Sequence, residues 1–139
     1  AGSRVGYAIG TPGTMQAFDK IRHHFGMNRI GMVAAQAALA DQAYLHAVVG
    51  KIKRARERIA AIAADNGLLA LPSATNFVAI DCGGDGVRAR AVVDGLMQHG
   101  VFIRMPGVAP LNRCIRISVG PDHDLDLLAE ALPQVLKAL

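Results

Sequence analysis

Tryptophan is absent from this 139-residue sequence, and phenylalanine and tyrosine together supply only 4% of its residues. A hydrophobic core therefore has to be built from alanine, valine, isoleucine and leucine, and apolar residues do make up 52% of the chain. That apolar fraction excludes a disordered or charge-dominated chain. The length is sufficient for one ordinary domain with a core of its own.

Cysteine is scarce as well. Cys82 and Cys114 form no Cys-x-x-Cys motif, and the five histidines show no ligand spacing with them, so no zinc site is expected. We expect two buried, reduced thiols of a cytosolic protein rather than a disulfide. No run of the sequence reaches the roughly 18–20 apolar residues of a membrane span, and the first residues lack the pattern of a signal peptide.

The net charge of +4 is concentrated in one half of the chain. Residues 1–60 contain nine Lys/Arg against three Asp/Glu, and the densest basic run lies at 51–58. We interpret this run as a solvated helix face. Nucleic-acid binding through it is a weaker alternative, because no RNA-binding motif and no aromatic stacking platform accompanies it.

The first half of the sequence is typical of one strand followed by helices. Alternation at 4–10 (RVGYAIG) predicts a strand whose second face carries small residues beside Arg4. Apolar and alanine-rich periodicity predicts three helices, at 14–24, 28–45 and 48–63. A bend or break is expected near Asp41 or Gly50.

The second half predicts an α/β fold, a short sheet flanked by helices. The predicted strands lie at 76–81, 101–105 and 114–119. A helix is predicted at 87–98, and a last helix begins at Pro121 with acids in its first turn. Pro133 should kink or split that last helix.

Two arginines on the predicted strands are candidate anion anchors. In CIRISV, Ile115 and Ile117 point to one side and Arg116 to the other, so Arg116 is held on a strand but faces away from the helices. A guanidinium is a rigid fork that matches a carboxylate. Arg104 follows the same logic, and the two could converge on one anion. On pattern alone, ordinary surface arginines or structural ion pairs stay open as an alternative.

Arg4 and Asn76 are two further candidates. Small neighbours allow a phosphate to approach the backbone while Arg4 supplies charge, although a strand packed on a helix also favours glycine and alanine. Asn76 opens a strand and is placed to hydrogen-bond a ligand, or else it caps a turn.

Five segments, in order along the whole chain, resemble the histidinol-phosphate aminotransferases of the fold-type I class, which depend on pyridoxal phosphate (PLP). The segments are AGSRVGYAIG, MVAAQAALADQAYL, SATNFVAID, GVFIRMPG and CIRISVGPDHDLDLLAEAL. The resemblance implies the C-terminal portion of such an enzyme. Residues 1–42 would end the large PLP-binding domain, as a strand plus helices, and residues 43–139 would form the small α/β domain.

The resemblance also implies roles for the candidate residues. Arg4 would bind the PLP phosphate, Arg116 the substrate α-carboxylate, and Arg104 the substrate side chain, which is a phosphate in histidinol phosphate; Asn76 would contact the substrate. Met105 separates Arg104 from Pro106, where the family has Arg-Pro directly, so another amino acid substrate stays open.

The implied activity is transamination between an amino donor and a 2-oxo acid in amino-acid biosynthesis, by a cytoplasmic homodimer without nucleic-acid or membrane partners. The family's Schiff-base lysine would lie about five residues before Ala1, by the spacing of the family motif. We therefore expect no catalytic residue and no activity in this chain alone. The alternative is a non-catalytic α+β module that binds a small anion.

Overall fold

A computed structural model describes residues 3–139 of the chain. These residues belong to two compact units, Ala1–Ala47 and Val48–Leu139, which are described separately. The assignment of residues 1–42 and 43–139 to two domains of a larger enzyme stays a prediction. In the part of the chain that the structure describes, no helix is long and apolar enough to cross a membrane.

The first unit contains helices α1 (Pro12–Asp19) and α2 (Arg29–Ala40) and the start of α3 (Gln42–Asp65). Asn28 caps α2, since its side-chain oxygen accepts a hydrogen bond from the Gly31 N–H at 2.6 Å. The predicted break at Asp41 is confirmed: this residue ends α2, and its carboxylate accepts from the Tyr44 N–H at 3.0 Å in the first turn of α3.

The strand predicted at 4–10 is not present in the structure. These residues have no regular secondary structure, and Arg4 has a φ of 52°, in the left-handed region that a strand residue does not occupy. The reason is that a strand needs a partner for its N–H and C=O groups, and no strand of the described residues pairs with this segment. Val5 instead lies over Gly31, where an added Cβ would come within 2.7 Å of the valine.

The second unit is built on a three-stranded antiparallel sheet in the order β1-β2-β3. Its elements are β1 (Leu69–Ala70), β2 (Phe77–Asp81), α4 (Gly86–Gln98), a 3₁₀ turn (Leu111–Arg113), β3 (Cys114–Ser118) and α5 (Asp122–Lys137). The predicted α/β class and the strands at 76–81 and 114–119 are confirmed to within a residue at each end. Strand β1 was not predicted, because two residues show no alternation.

The prediction of a strand at 101–105 is wrong. Only Arg104 pairs with β3, through an isolated bridge to Arg116. The preceding residues are used to end α4: Gly100 has a φ of 78°, and the Val101 N–H bonds back to the Leu96 carbonyl at 2.9 Å. Pro106 follows and has no N–H to donate. One residue of the segment is therefore left to reach the sheet edge.

The core lies between one face of the sheet and the helices of the second unit. Val78, Ile80, Ile115 and Ile117 are buried on that face. The helices contribute most of the other large buried side chains: Ile59 and Ile62 from α3, Val92, Val93 and Leu96 from α4, and Leu125, Leu128, Leu132 and Val135 from α5. Ile103 adds one from the segment that follows α4. Cys82 and Cys114 are both buried and free, as expected.

Pro133 does not split the last helix, which was one of the two outcomes predicted for it. Helix α5 continues through it from Asp122 to Lys137. The ring removes the donor for the Ala129 carbonyl four residues earlier. Pro133 is exposed, so it lies on the face where no neighbouring helix has to accommodate the ring.

Truncation of Leu128 tests this account of the core. Leu128→Ala is expected to lower the free energy of unfolding by roughly 2–5 kcal/mol, because Leu128 is 2% exposed and its removal leaves a cavity. Leu127→Ala is the matched control. Leu127 is 50% exposed, so its truncation should change the free energy of unfolding by only about 0.5 kcal/mol. Urea unfolding of the 139-residue chain measures both, and equal losses would contradict the packing described.

Candidate functional site

Arg104 and Arg116 form a directly opposed pair at the outer edge of the sheet. The Arg104 N–H donates to the Arg116 carbonyl at 3.2 Å, and the Arg116 N–H donates to the Arg104 carbonyl at 2.6 Å. Residues that exchange both bonds in this way project their side chains from the same face of a sheet. Since Ile115 and Ile117 occupy the buried face, both arginines are on the face that the helices leave open.

Phe77 supports the guanidinium of Arg116. The register pairs Arg116 with Ala79 and Ser118 with Phe77, so Phe77 is the diagonal neighbour of Arg116 on the open face. The small side chain of Ala79 leaves room between them. The Arg116 guanidinium carbon lies over the Phe77 ring, 5.1 Å from its centroid, in a cation–π contact.

The two arginines line an open cleft of about 270 Å³. Its other walls are formed by Phe102, Ile103 and Ser118. Within residues 3–139, the arginine ion pairs involve Arg22, Arg58 and Arg113, and neither cleft arginine has a carboxylate within 4.0 Å. Two positive groups directly opposite each other on a sheet repel, so this cleft is suited to an anion.

Asp81 and Arg113 form an ion pair at one end of the β2–β3 ladder. The Asp81 carboxylate accepts from the Gly83 N–H at 2.9 Å and from the Arg113 side chain at 2.9 Å. Both hydrogen bonds lower the pKa of the Asp81 carboxyl below its ordinary value, and the bond from the Gly83 N–H has the larger effect. Asp81 therefore compensates Arg113 and leaves the charges of Arg104 and Arg116 for a ligand.

Of the predicted site residues in the second unit, Asn76 lies apart from the cleft that Arg104 and Arg116 share. Asn76 is exposed and lines a separate groove beside α3, with Ile52 and Arg56. Its carbonyl accepts from the Val119 N–H at 2.9 Å, at the end of the β2–β3 ladder. Arg4 is exposed in the first unit. The roles of all four residues stay predictions.

The basic run at 51–58 is partly structural. Arg56 donates to the Thr75 carbonyl at 3.0 Å, and Arg58 donates to the Asp122 carbonyl at 3.0 Å and pairs with Asp126. These bonds attach α3 to the rest of the second unit. They leave less of the run available to a polyanion than the sequence alone indicates.

Other chemistry is limited in the described residues. Burial raises the pKa of both the Cys82 and Cys114 thiols, so neither is a nucleophile at neutral pH. No group of three or more potential metal ligands lies together within residues 3–139.

Sequence reasoning missed Phe102, Ile103 and Ser118 as walls of the cleft. It also missed Phe77 as the support for the Arg116 guanidinium. A usable signal existed for Phe77. Alternation in β2 and β3 places Phe77 and Arg116 on the open face, but their contact depends on the register between the strands, which the sequence does not state.

The family model for aminotransferase class I and II matches residues 1–132. The chain belongs to this family. Among curated relatives, histidinol-phosphate aminotransferase 2 of Methylococcus capsulatus is 37% identical over 136 residues, covering 98% of this chain and 36% of that protein. The histidinol-phosphate aminotransferase of Roseiflexus castenholzii is 38% identical over 137 residues, covering 97% of this chain and 37% of that protein.

A solved structure agrees with this class I and II assignment. Histidinol-phosphate aminotransferase from Sinorhizobium meliloti, in complex with pyridoxal-5'-phosphate, is 67% identical and superimposes with a TM-score of 0.94. The match covers 99% of this chain and 38% of that one. The chain thus spans somewhat over a third of the length of the relatives it matches.

PLP is the cofactor of the aminotransferase class I and II family, and Arg4 is the residue of this chain that is predicted to bind its phosphate. Arg4 is exposed, and the space beside Gly6 is open, since an added Cβ would meet no atom within 4 Å. This arrangement fits a phosphate group. The four lysines, Lys20, Lys51, Lys53 and Lys137, are all exposed and lie outside the family's lysine motif.

The pH dependence of stability tests the Asp81 interactions. A carboxyl whose pKa is lowered by folding stabilises the fold above its unfolded pKa of about 3.9, and this contribution is lost as pH falls through the folded pKa. Asp81→Asn should therefore be less stable than the parent near pH 6, and the difference should shrink below about pH 4.

Asp94→Asn is the control, because Asp94 is exposed and forms no ion pair within the described residues. Chemical unfolding across this pH range measures the effect. A stability difference for Asp81→Asn that does not change with pH would contradict the assignment.

Proposed function

We propose that this chain supplies the substrate-binding end of a PLP-dependent aminotransferase, with Arg116 as the anchor for the substrate α-carboxylate. One observation carries the proposal: two guanidinium groups share a cleft on the open face of β3, and neither is neutralised by an acid of the described residues. The family assignment indicates that this anion site would serve an aminotransferase reaction.

Each residue would contribute binding and orientation. The planar fork of Arg116 would donate hydrogen bonds to both carboxylate oxygens and thereby fix the direction of the substrate Cα–H bond. Arg104 would meet a second anionic group, such as a side-chain phosphate. Arg4 would bind the cofactor phosphate, and Asn76 would contact the substrate. PLP supplies the electron sink for the transfer of the amino group to a 2-oxo acid.

Histidinol phosphate is our proposal for the amino donor, supported by the names of the relatives and by the Arg104–Arg116 pair. Met105, between Arg104 and Pro106, is the departure that keeps another amino acid as the alternative.

We further propose a cytoplasmic homodimer acting in amino-acid biosynthesis, with no nucleic-acid or membrane partner. The first unit exposes three large apolar side chains, Ile9, Phe25 and Ile30, each by more than 80%. This exposure supports the proposal that further protein covers them. Such apolar exposure is typical of a protein interface.

Removal of the Arg116 charge tests the carboxylate anchor. Arg116→Gln should weaken binding of pyruvate, a simple 2-oxo acid, by at least about tenfold, because a charge-assisted bidentate contact is lost. Titration of the 139-residue chain followed by NMR measures the affinity. Arg90→Gln removes the same charge from an exposed position on α4 and should leave the affinity unchanged. Equal losses of affinity in the two variants would contradict a specific site, because they would indicate only a general attraction of the chain for anions.

The purified 139-residue chain should show no transaminase activity, since none of its lysines stands in the family motif. A coupled assay with amino donors and added PLP measures turnover. The coding sequence preceding Ala1 should contain Ser-Lys about five residues upstream, by the spacing of the family motif. Pyruvate binding by a protein whose gene lacks this motif would instead favour the non-catalytic anion-binding module.

A further inference from the structure

We infer that Phe77 is a positioning residue that holds the Arg116 guanidinium over its ring and leaves the N–H groups free for an anion. The inference rests on the proposed function for the identity of that anion. The contact itself is independent of it: the guanidinium carbon is 5.1 Å from the ring centroid. Phe77 is half-buried and fixed in the central strand of the sheet, between β1 and β3.

Among the described residues, the ring of Phe77 makes the cation–π contact recorded for the Arg116 side chain, and no side-chain hydrogen bond from Arg116 accompanies it. Within residues 3–139, the arginine side chains that donate hydrogen bonds are Arg22, Arg56, Arg58, Arg88 and Arg113. An arginine without such bonds has much rotamer entropy to lose when it binds a ligand. A flat ring beneath the guanidinium reduces that cost in advance, because it favours the orientation parallel to its face.

The ring orients the charge without competing for the ligand. A guanidinium binds carboxylates through N–H groups that lie in its plane, whereas a cation–π contact uses the face of that plane. A carboxylate in place of Phe77 would also orient Arg116, but it would occupy the same N–H groups. Phe77 is therefore suited to a site that must stay ready for an incoming anion.

The matched control is Phe18. It lies on α1, is 53% exposed and is not among the walls of the cleft, whereas the guanidinium of Arg116 lies over Phe77. Phe77→Leu removes the ring and keeps an apolar side chain, Phe77→Tyr keeps the ring, and Phe18→Leu removes an exposed ring that does not line the cleft. All four proteins are compared as the full 139-residue chain.

Two measurements decide the role. The first is the NMR chemical shift of the Arg116 side-chain protons, which a ring current moves upfield. The second is the affinity for pyruvate. We expect Phe77→Leu to lose the upfield shift and to bind pyruvate roughly two- to fivefold more weakly. Phe77→Tyr should retain both properties, and Phe18→Leu should match the parent chain in both.

The outcomes separate this inference from the proposed function. An unshifted Arg116 in the parent chain overturns the positioning role even if Phe77→Leu fails to fold. Unchanged affinity in a folded Phe77→Leu chain overturns it as well. If no variant and no parent binds pyruvate, the carboxylate anchor is overturned, while the shift still shows whether Phe77 orders Arg116.

Discussion

The site depends on the burial of Ile115 and Ile117 against the helices of the second unit. Because successive side chains of a strand alternate, the burial of these two residues forces Arg116, which lies between them, onto the opposite face. A slip of one residue in register would expose two isoleucines and bury a charge, so the core itself specifies where the guanidinium points. The hydrophobic core and the anion cleft are thus two faces of one strand.

The same principle explains which predictions from sequence succeeded. Strand β3 and the orientation of Arg116 follow from local alternation, and the helices follow from their apolar periodicity. The strand at 101–105 failed because a local pattern does not report that Gly100 and Val101 are needed to end α4. The segment at 4–10 failed for a related reason, since alternation indicates a strand only where a partner exists.

The Phe77–Arg116 contact marks the limit of reasoning from one sequence. Each strand was predicted separately, and Arg116 was predicted to be on the correct face. Their meeting depends on the register between β2 and β3, which is set by the three-dimensional fit of the core. The separation of Asn76 from the cleft has the same origin: adjacency to Phe77 in sequence does not make Asn76 a neighbour of Arg116 in space.

The single bridge at Arg104 gives the cleft two unequal walls. Arg116 belongs to a strand paired along its length with β2, whereas Arg104 is attached to the sheet by one residue. Displacement of the Arg104 backbone disturbs two hydrogen bonds and the packing of the buried Ile103 beside it, while displacement of Arg116 disturbs the sheet and the core beneath it. The two arginines are therefore attached to the sheet to different extents. Under the proposed function, Arg116 would keep the carboxylate end of every substrate in the same place.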